Sequence, residues 1–234
     1  MKTLLTALLL LVRATSARAQ PDIPFADFSI SRSQVEDFGQ TLGATETAAA
    51  RPLNRLALEM IKDFEHWVAT AYDDPAGYCT IGYGHLIALA PCAQTTLGDY
   101  ARPLLVSAGA DLLERDTTTA RRAIQKLVLV ELSDDQFGAL TSFVFNVGKT
   151  NFQGSTLLKI LNFGDYRKAA NQLPRWVVSH GKVMNGLIER RACEAAMFRG
   201  DLALDRQRRF HRSACAALGA APSVGPLIDI DKGE

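Results

Sequence analysis

Residues 64–85, FEHWVATAYDDPAGYCTIGYGH, gather one glutamate, two aspartates, two histidines, a cysteine and three glycines. Glu65, Asp74 and Thr80 stand out for what their settings permit. Glu65 sits at the rim of an apolar run, where a carboxyl is partly desolvated and suited to giving up a proton. Asp74 lies in an Asp-Asp-Pro-Ala-Gly turn signal, where a carboxylate is solvated or accepts backbone N–H groups and stays ionised. Thr80 adds a hydroxyl just beyond the turn. Around one cleft, these three suit the addition of water to a glycosidic bond. One carboxyl protonates the leaving oxygen while the other activates or holds the water. The plainer alternative is a structural aspartate in a turn followed by a β-favouring threonine.

A helix, a turn and a strand must bring them together. Leu53, Leu56, Met60, Ile61, Phe64, Trp67 and Val68 recur at three- and four-residue intervals, which predicts a helix over 53–68 with Pro52 at its start. On a helical wheel Glu65 falls about 40° from Ile61, between it and Leu58, whereas Glu59 and Asp63 fall about 160° and 200° away. Those two share the polar face with Lys62 and His66, so His66 reads as solvated. Residues 71–87 carry Gly77, Gly82 and Gly84 and predict a hairpin, in which Cys79 and Thr80 face opposite sides. Beyond Thr95, helical segments are expected at 110–129, 133–147, 155–162, 165–178 and 185–199, parted by Gly, Ser-Asp-Asp and Asn-Phe-Gly breaks. A small sheet after one helix, then a larger helical part, is an α+β organisation.

The remaining letters bound what the chain can be. Its 234 residues, 47% hydrophobic and 22% charged, suffice for one buried core plus appendages. MKTLLTALLLLVRATSARAQ has Lys2, an apolar run from Leu4 to Val12 and an A-x-A site at 17–19, so residues 1–19 are expected to be a signal peptide and the chain exported. The apolar run is about half a membrane span, too short for a permanent transmembrane helix. A short amphipathic start or a releasable membrane tether are the alternatives. Cleavage after Ala19 takes three of the 26 basic residues and none of the 25 acidic ones, so 23 face 25 and the charge becomes −2. That balance gives no global sign of a nucleic-acid partner. The run Arg206-Gln-Arg-Arg-Phe-His-Arg212 is a local exception that reads as a solvated face or tail rather than a seat for an anionic polymer.

Residues 20–51 read as an extension and linker, with capping-box spacing at Ser33-x-x-Glu36 for a brief helix over 33–40. Residues 52–200 read as the folded domain. Residues 201–234 read as a tail whose Ala/Pro/Gly-rich and acidic end suggests a mobile segment. Cys79, Cys92, Cys193 and Cys215 in an exported chain suggest two disulfides, with three possible connectivities; the local pairing of 79 with 92 and 193 with 215 is the simplest. Neither C-x-x-C nor H-E-x-x-H spacing occurs, so no metal is expected, and no cofactor.

Glu65, eight residues, Asp74, five residues, Thr80 has the spacing of the catalytic triad of phage-type lysozymes, glycoside hydrolase family 24. The chain resembles that family in FE (64–65), AYDD (71–74), G-x-x-TIGYGH (77–85), SDDQFGALTSFVFNVG (133–148), STLLKILN (155–162), Trp176 and GLIERRACEAAMF (186–198). The resemblance implies a two-lobed lysozyme-like fold, with a small β-hairpin lobe and a larger helical lobe. It implies hydrolysis, with inversion, of the β-1,4 bond between N-acetylmuramic acid and N-acetylglucosamine in peptidoglycan. Glu65 would be the general acid, with Asp74 and Thr80 positioning the water and the carboxyl groups roughly 6.5–9.5 Å apart. Leu86, Phe145 and Asn146 would line the sugar cleft; the alternative for the last two is a core helix in which Phe143 and Phe145 pack and Asn146 caps the end. His85 would hold the fold rather than act as a base, and Trp67 and Trp176 would pack core or lobes. Arg190 and Arg191 would touch a peptide stem or brace the lobe. The implied partner is the peptidoglycan glycan strand, met by a monomer. Two other readings are a module that binds peptidoglycan without cutting it, and a lytic transglycosylase. Glu65, Asp74 and Thr80 together argue against the first, which has no need of all three, and Asp74 and Thr80, a water-handling pair, argue against the second.

Overall fold

The structure is a computed structural model and describes residues 49–218 and 224–234. The signal peptide expected at 1–19, nearly all of the 20–51 extension and the brief helix at 33–40 lie outside the described residues.

Asn54, rather than Pro52, starts the first helix: its side-chain oxygen accepts the Ala57 N–H at 2.9 Å, and its amide donates to Asp135 at 2.6 Å. This helix, α1 (Arg55–Glu65), buries Leu56, Ala57, Met60, Ile61 and Phe64, the face marked by the apolar spacing, together with Glu65. It stops three residues short of Val68. His66 turns out of the helix at φ 55° and ψ 165°, a region that residues with side chains rarely occupy. Val68 thereby becomes the first residue of β1 (Val68–Asp73). Trp67 swings toward Tyr83, with ring centroids 4.9 Å apart, and against Gly109, where a Cβ would stand 2.1 Å from the indole. Packing between lobes overrides the helical period here.

β1, β2 (Cys79–Gly82) and β3 (His85–Ala88) form an antiparallel sheet in that order, one strand more than the expected hairpin. Thr80 stands opposite Tyr72 on one side and Leu86 on the other, so those three share a face. Cys79 pairs with Asp73 and Ala88 on the other face and is bonded to Cys92. Two 3₁₀ turns, Cys92–Gln94 and Gly98–Ala101, lead to α2 (Val106–Asp116) and α3 (Thr118–Leu127). The single segment expected over 110–129 breaks at buried Thr117, whose hydroxyl donates back to the Glu114 carbonyl at 2.9 Å.

The helical lobe follows: α4 (Asp134–Val147), α5 (Lys149–Gly154), α6 (Thr156–Asn162), α7 (Tyr166–Ala170), α8 (Asn185–Arg199) and α9 (Arg212–Ala217). Ser133 and Gln136 close a reciprocal capping box at the start of α4. On the far side of the box, α4 meets α1 at Gly138, where a Cβ would come 2.5 Å from the Ala57 Cβ. The helix expected over 165–178 ends at Ala170. Beyond it lies a 3₁₀ turn at Leu173–Arg175 containing Pro174, which has no N–H to continue an α-helix, and then the short pair β4 (Val178–Ser179) and β5 (Lys182–Val183). Phe137, Phe143, Phe152 and Trp176 centre the main core. A smaller cluster of Ile61, Tyr83 and Leu113 joins α1, the sheet and α2.

The tail packs rather than trailing into solvent. Cys215 is bonded to Cys193, tying α9 to α8, and Leu202, Ile228 and Ile230 belong to the main core. Asp229 pairs in parallel with Val178, and Glu234 reaches Arg175 at 2.7 Å. The alternation Ile228-Asp-Ile230 turns both isoleucines to one side, where the helical lobe covers them. Among the described residues, no helix is long and apolar enough to cross a membrane.

Candidate active site

Glu65 ends α1 and is 4% exposed. The wheel puts it on a rim; the structure buries it against a cation the wheel cannot see, because α8 arrives from more than a hundred residues away. Its Oε1 accepts from Arg190 Nη1 at 2.7 Å. Arg190 also donates to Glu194 Oε1 at 3.2 Å and to the Ser142 carbonyl at 3.2 Å, and the Ser142 hydroxyl donates to the same Glu194 oxygen at 2.7 Å. Arg191 donates to Glu194 Oε2, to the Asn146 side-chain oxygen, and to the Trp176 carbonyl at 3.0 Å. Two buried guanidinium groups thus face the acidic side chains of Glu65 and Glu194, hydrogen-bonded company that makes such burial tolerable. Burial alone would lower the pKa of Arg190, but the carboxylates of Glu65 and Glu194 outweigh it and raise the pKa above the usual value. Arg191, with burial dominant and Glu194 opposing it, is lowered. The network fixes the direction of the Glu65 carboxyl.

Asp74 sits in the turn after β1 and is also 4% exposed. Its Oδ1 accepts the backbone N–H groups of Ala76 at 2.9 Å and Tyr78 at 2.8 Å. Gly77, at φ 83°, makes that tight turn possible. Its Oδ2 is buried and has no hydrogen-bond partner among the described residues. One oxygen is anchored by the turn and the other is not. Thr80, fully buried on β2, donates its hydroxyl hydrogen to the Tyr78 carbonyl at 3.1 Å. Its oxygen lone pairs therefore remain as acceptors.

Tyr72, opposite Thr80 on the same sheet face, is a residue the sequence reading missed. Burial first, then the negative charges of Asp74 and Glu65, push its hydroxyl pKa up to about 12. Both carboxylates thus oppose ionisation of this one phenol. The letters AYDD held this signal, since Tyr72 lies on the strand that leads into the turn of Asp74, two residues before it. Ser142 and Glu194 were missed as well. For Glu194 the clue was its spacing from Arg190 and Arg191, four and three residues along one helix.

Leu86 is half-buried next to Thr80 in the sheet register. Phe145 is half-buried on α4 and packs against both core clusters. Asn146 spends its side-chain oxygen on Arg191, leaving its amide hydrogens for other acceptors. His85 is held between Asp116 at 2.9 Å and the Tyr100 hydroxyl at 3.2 Å, which ties β3 to α2. Asp73 accepts the Cys92 N–H at 2.6 Å. Among the described residues, the one trio of metal-ligand types within reach of one another is Asp73, Cys79 and Cys92, and both sulfurs are committed to the disulfide.

A buried, arginine-oriented carboxyl, a second carboxylate with one free oxygen and a hydroxyl acceptor can between them move a proton and hold a water. Comparison with known proteins bears on which reaction that serves. The sequence model of the family described as Phage lysozyme matches residues 62–194. The endolysin of Bacillus phage B103 is 36% identical over 149 residues, 62% of this chain and 53% of that protein. The chain thus spans about half the length of that curated relative. The SAR-endolysin of Escherichia phage Mu is 39% identical over 127 residues, 54% of this chain and 69% of that protein. The structure is similar to the muramidase domain of SpmX from Asticaccaulis excentricus, with a TM-score of 0.54 and 31% identity over 62% of this chain and 96% of that one.

Proposed function

The chain belongs to the phage lysozyme family, and on that premise we propose that it is an exported, monomeric muramidase. Its substrate in this reading is the β-1,4 bond between N-acetylmuramic acid and N-acetylglucosamine in peptidoglycan, cleaved with inversion. The observation that carries the reading is the divided role of the Asp74 carboxylate, Oδ1 fixed by two backbone N–H groups and Oδ2 buried without a partner among the described residues. A water that donates one hydrogen to Asp74 Oδ2 and the other to Thr80 Oγ1 attacks the anomeric carbon through its lone pair while Asp74 takes up the proton it loses. Glu65 gives its proton to the leaving oxygen, and Arg190 stabilises the carboxylate that remains. Leu86, Phe145 and Asn146 line the path of the sugar chain. Residues 1–19 direct the chain out of the cytoplasm, where its substrate is.

The test is incubation of the purified protein with peptidoglycan, followed by reducing-end and mass analysis of the products. Wild type is expected to release muropeptides with ordinary reducing ends, and Glu65→Gln to release almost none. Release no greater than that of Glu65→Gln leaves a binding module instead. Anhydro-muramic ends make it a transglycosylase. NMR of the first-formed anomer decides inversion.

A further inference from the structure

We propose that Arg212, carried by the C-terminal segment, is a positioning residue for Glu65. The proposal deepens the hydrolase reading above and rests on it. Arg212 lies beyond residue 194, where the family match ends, and it opens α9, three residues before Cys215 in its bond to Cys193. From there it reaches the last turn of α1. Its Nη2 donates to the Asp63 carbonyl at 2.9 Å, and its Nε donates to the Asp63 carboxylate at 2.8 Å. Its guanidinium lies over the Phe64 ring, 4.4 Å from the centroid. Phe64 is also faced by Arg190 at 5.6 Å and by the Phe210 ring at 6.4 Å.

The contacts fall where α1 is weakest. The last four carbonyls of a helix have no partner within it, and an arginine from elsewhere that takes one of them completes the end. The next two residues are Phe64 and Glu65, followed by His66 in its unfavourable backbone conformation. No further helical turn steadies Glu65. Its direction is set by Arg190 ahead of it and by the grip of Arg212 on Asp63 and Phe64 behind it. Both arginines are tied to α8, one as part of it and the other through the Cys193–Cys215 bond, so the two sides of the hold share one support. A proton donor displaced by about 1 Å loses on the order of a hundredfold in rate. Loss of Arg212 is therefore expected to appear in kcat rather than in KM.

The experiment compares the full-length wild type with Arg212→Ala, Arg212→Lys and, as a control in the same segment, Arg209→Ala. Turnover of soluble peptidoglycan fragments is measured well below the unfolding temperature of each. Arg212→Ala is expected to lower kcat about ten- to a hundredfold with KM nearly unchanged. Arg212→Lys, able to keep one Asp63 contact, should recover part of that loss, and Arg209→Ala should match wild type. An unchanged kcat in Arg212→Ala overturns the proposal. So does a loss that only tracks the unfolded fraction read by circular dichroism. If wild type is no more active than Glu65→Gln, the hydrolase reading fails on its own, and amide exchange across residues 63–66 judges the hold on the helix end. Exchange about tenfold faster in Arg212→Ala supports that hold, and equal exchange rules it out.

Discussion

Asp74 shows how much one oxygen can decide. In Asp74→Asn the amide oxygen can still accept the Ala76 and Tyr78 N–H groups, so the turn keeps its shape. The other position, now an NH₂ group, presents donors to a water that needs an acceptor. Turnover is expected to fall by roughly 10²–10⁴-fold, the range for losing a group that handles protons, while the unfolding midpoint changes little. Activity within a few-fold of wild type would remove Asp74 from the water's path. Tyr72 reports on the same region through pH. Its hydroxyl ionises near 10 in an unfolded chain, and in the fold it is pushed up to about 12, by burial first and then by Asp74 and Glu65. The protonated phenol therefore contributes stability that is fully present below about pH 10 and is lost as pH rises toward 12. Tyr72→Phe is expected to flatten that part of the alkaline unfolding curve, and Asp74→Asn to let the Tyr72 ring ionise earlier in an ultraviolet titration. A titration unaltered by Asp74→Asn would mean that the two groups do not share a cleft.

The strand that bears Thr80 is held from behind. Cys79 precedes it, faces the other way and is bonded to Cys92, whose N–H is also taken by Asp73. Replacing both cysteines by serine is expected to destabilise the protein by about 2–4 kcal/mol and to lower turnover as β2 loosens beside the site. Unchanged activity in that double variant, or in the reduced protein, would separate the staple from the catalysis. Sequence periodicity located α1, the sheet and most helices, because those patterns are local. It misjudged elements whose limits are set at a distance. α1 ends at Glu65 instead of Val68 because Trp67 is drawn to Tyr83 and Gly109. α8 carries Glu189, Arg190, Arg191 and Glu194, yet Arg190 through Phe198 are all buried. Its ionic residues satisfy one another and Glu65, and no single-helix pattern contains that. The triad letters were legible by resemblance, and the hold of backbone N–H groups on Asp74 was one of two options its turn offered; the burial of Glu65 against Arg190 was not legible.

Across the whole molecule, the C-terminal letters look least like structure and still complete the helical lobe. Pro- and Gly-containing sequence up to Pro226 gives way to Leu-Ile-Asp-Ile-Asp, a short alternating stretch that two buried isoleucines turn into a strap. The Ile228 N–H donates to the Arg175 carbonyl at 2.7 Å, the Ile230 N–H donates to the Val178 carbonyl at 2.9 Å, and Asn151 donates to the Ile230 carbonyl at 2.7 Å. Arg175, itself buried, is met by Glu234 at 2.7 Å. Deleting residues 224–234 therefore removes the carboxylate that balances a mostly buried guanidinium and uncovers the lobe surface beneath Ile228 and Ile230. Each buried isoleucine is worth about 1.5–3 kcal/mol, and the ion pair adds to that hold. A point change isolates that last part: Glu234→Gln leaves the strap in place and removes the charge facing Arg175, whose guanidinium still donates to Gln172 Oε1 and the Pro226 carbonyl. It is expected to lower stability in urea by about 1–3 kcal/mol, the range for losing a hydrogen bond between charged groups, with kcat unchanged because the strap touches neither Glu65 nor Asp74 directly. High salt should not mimic the change, since a pair this little exposed is poorly screened. Equal stability of Glu234→Gln and wild type would make the docked tail a passenger on the lobe rather than part of its core.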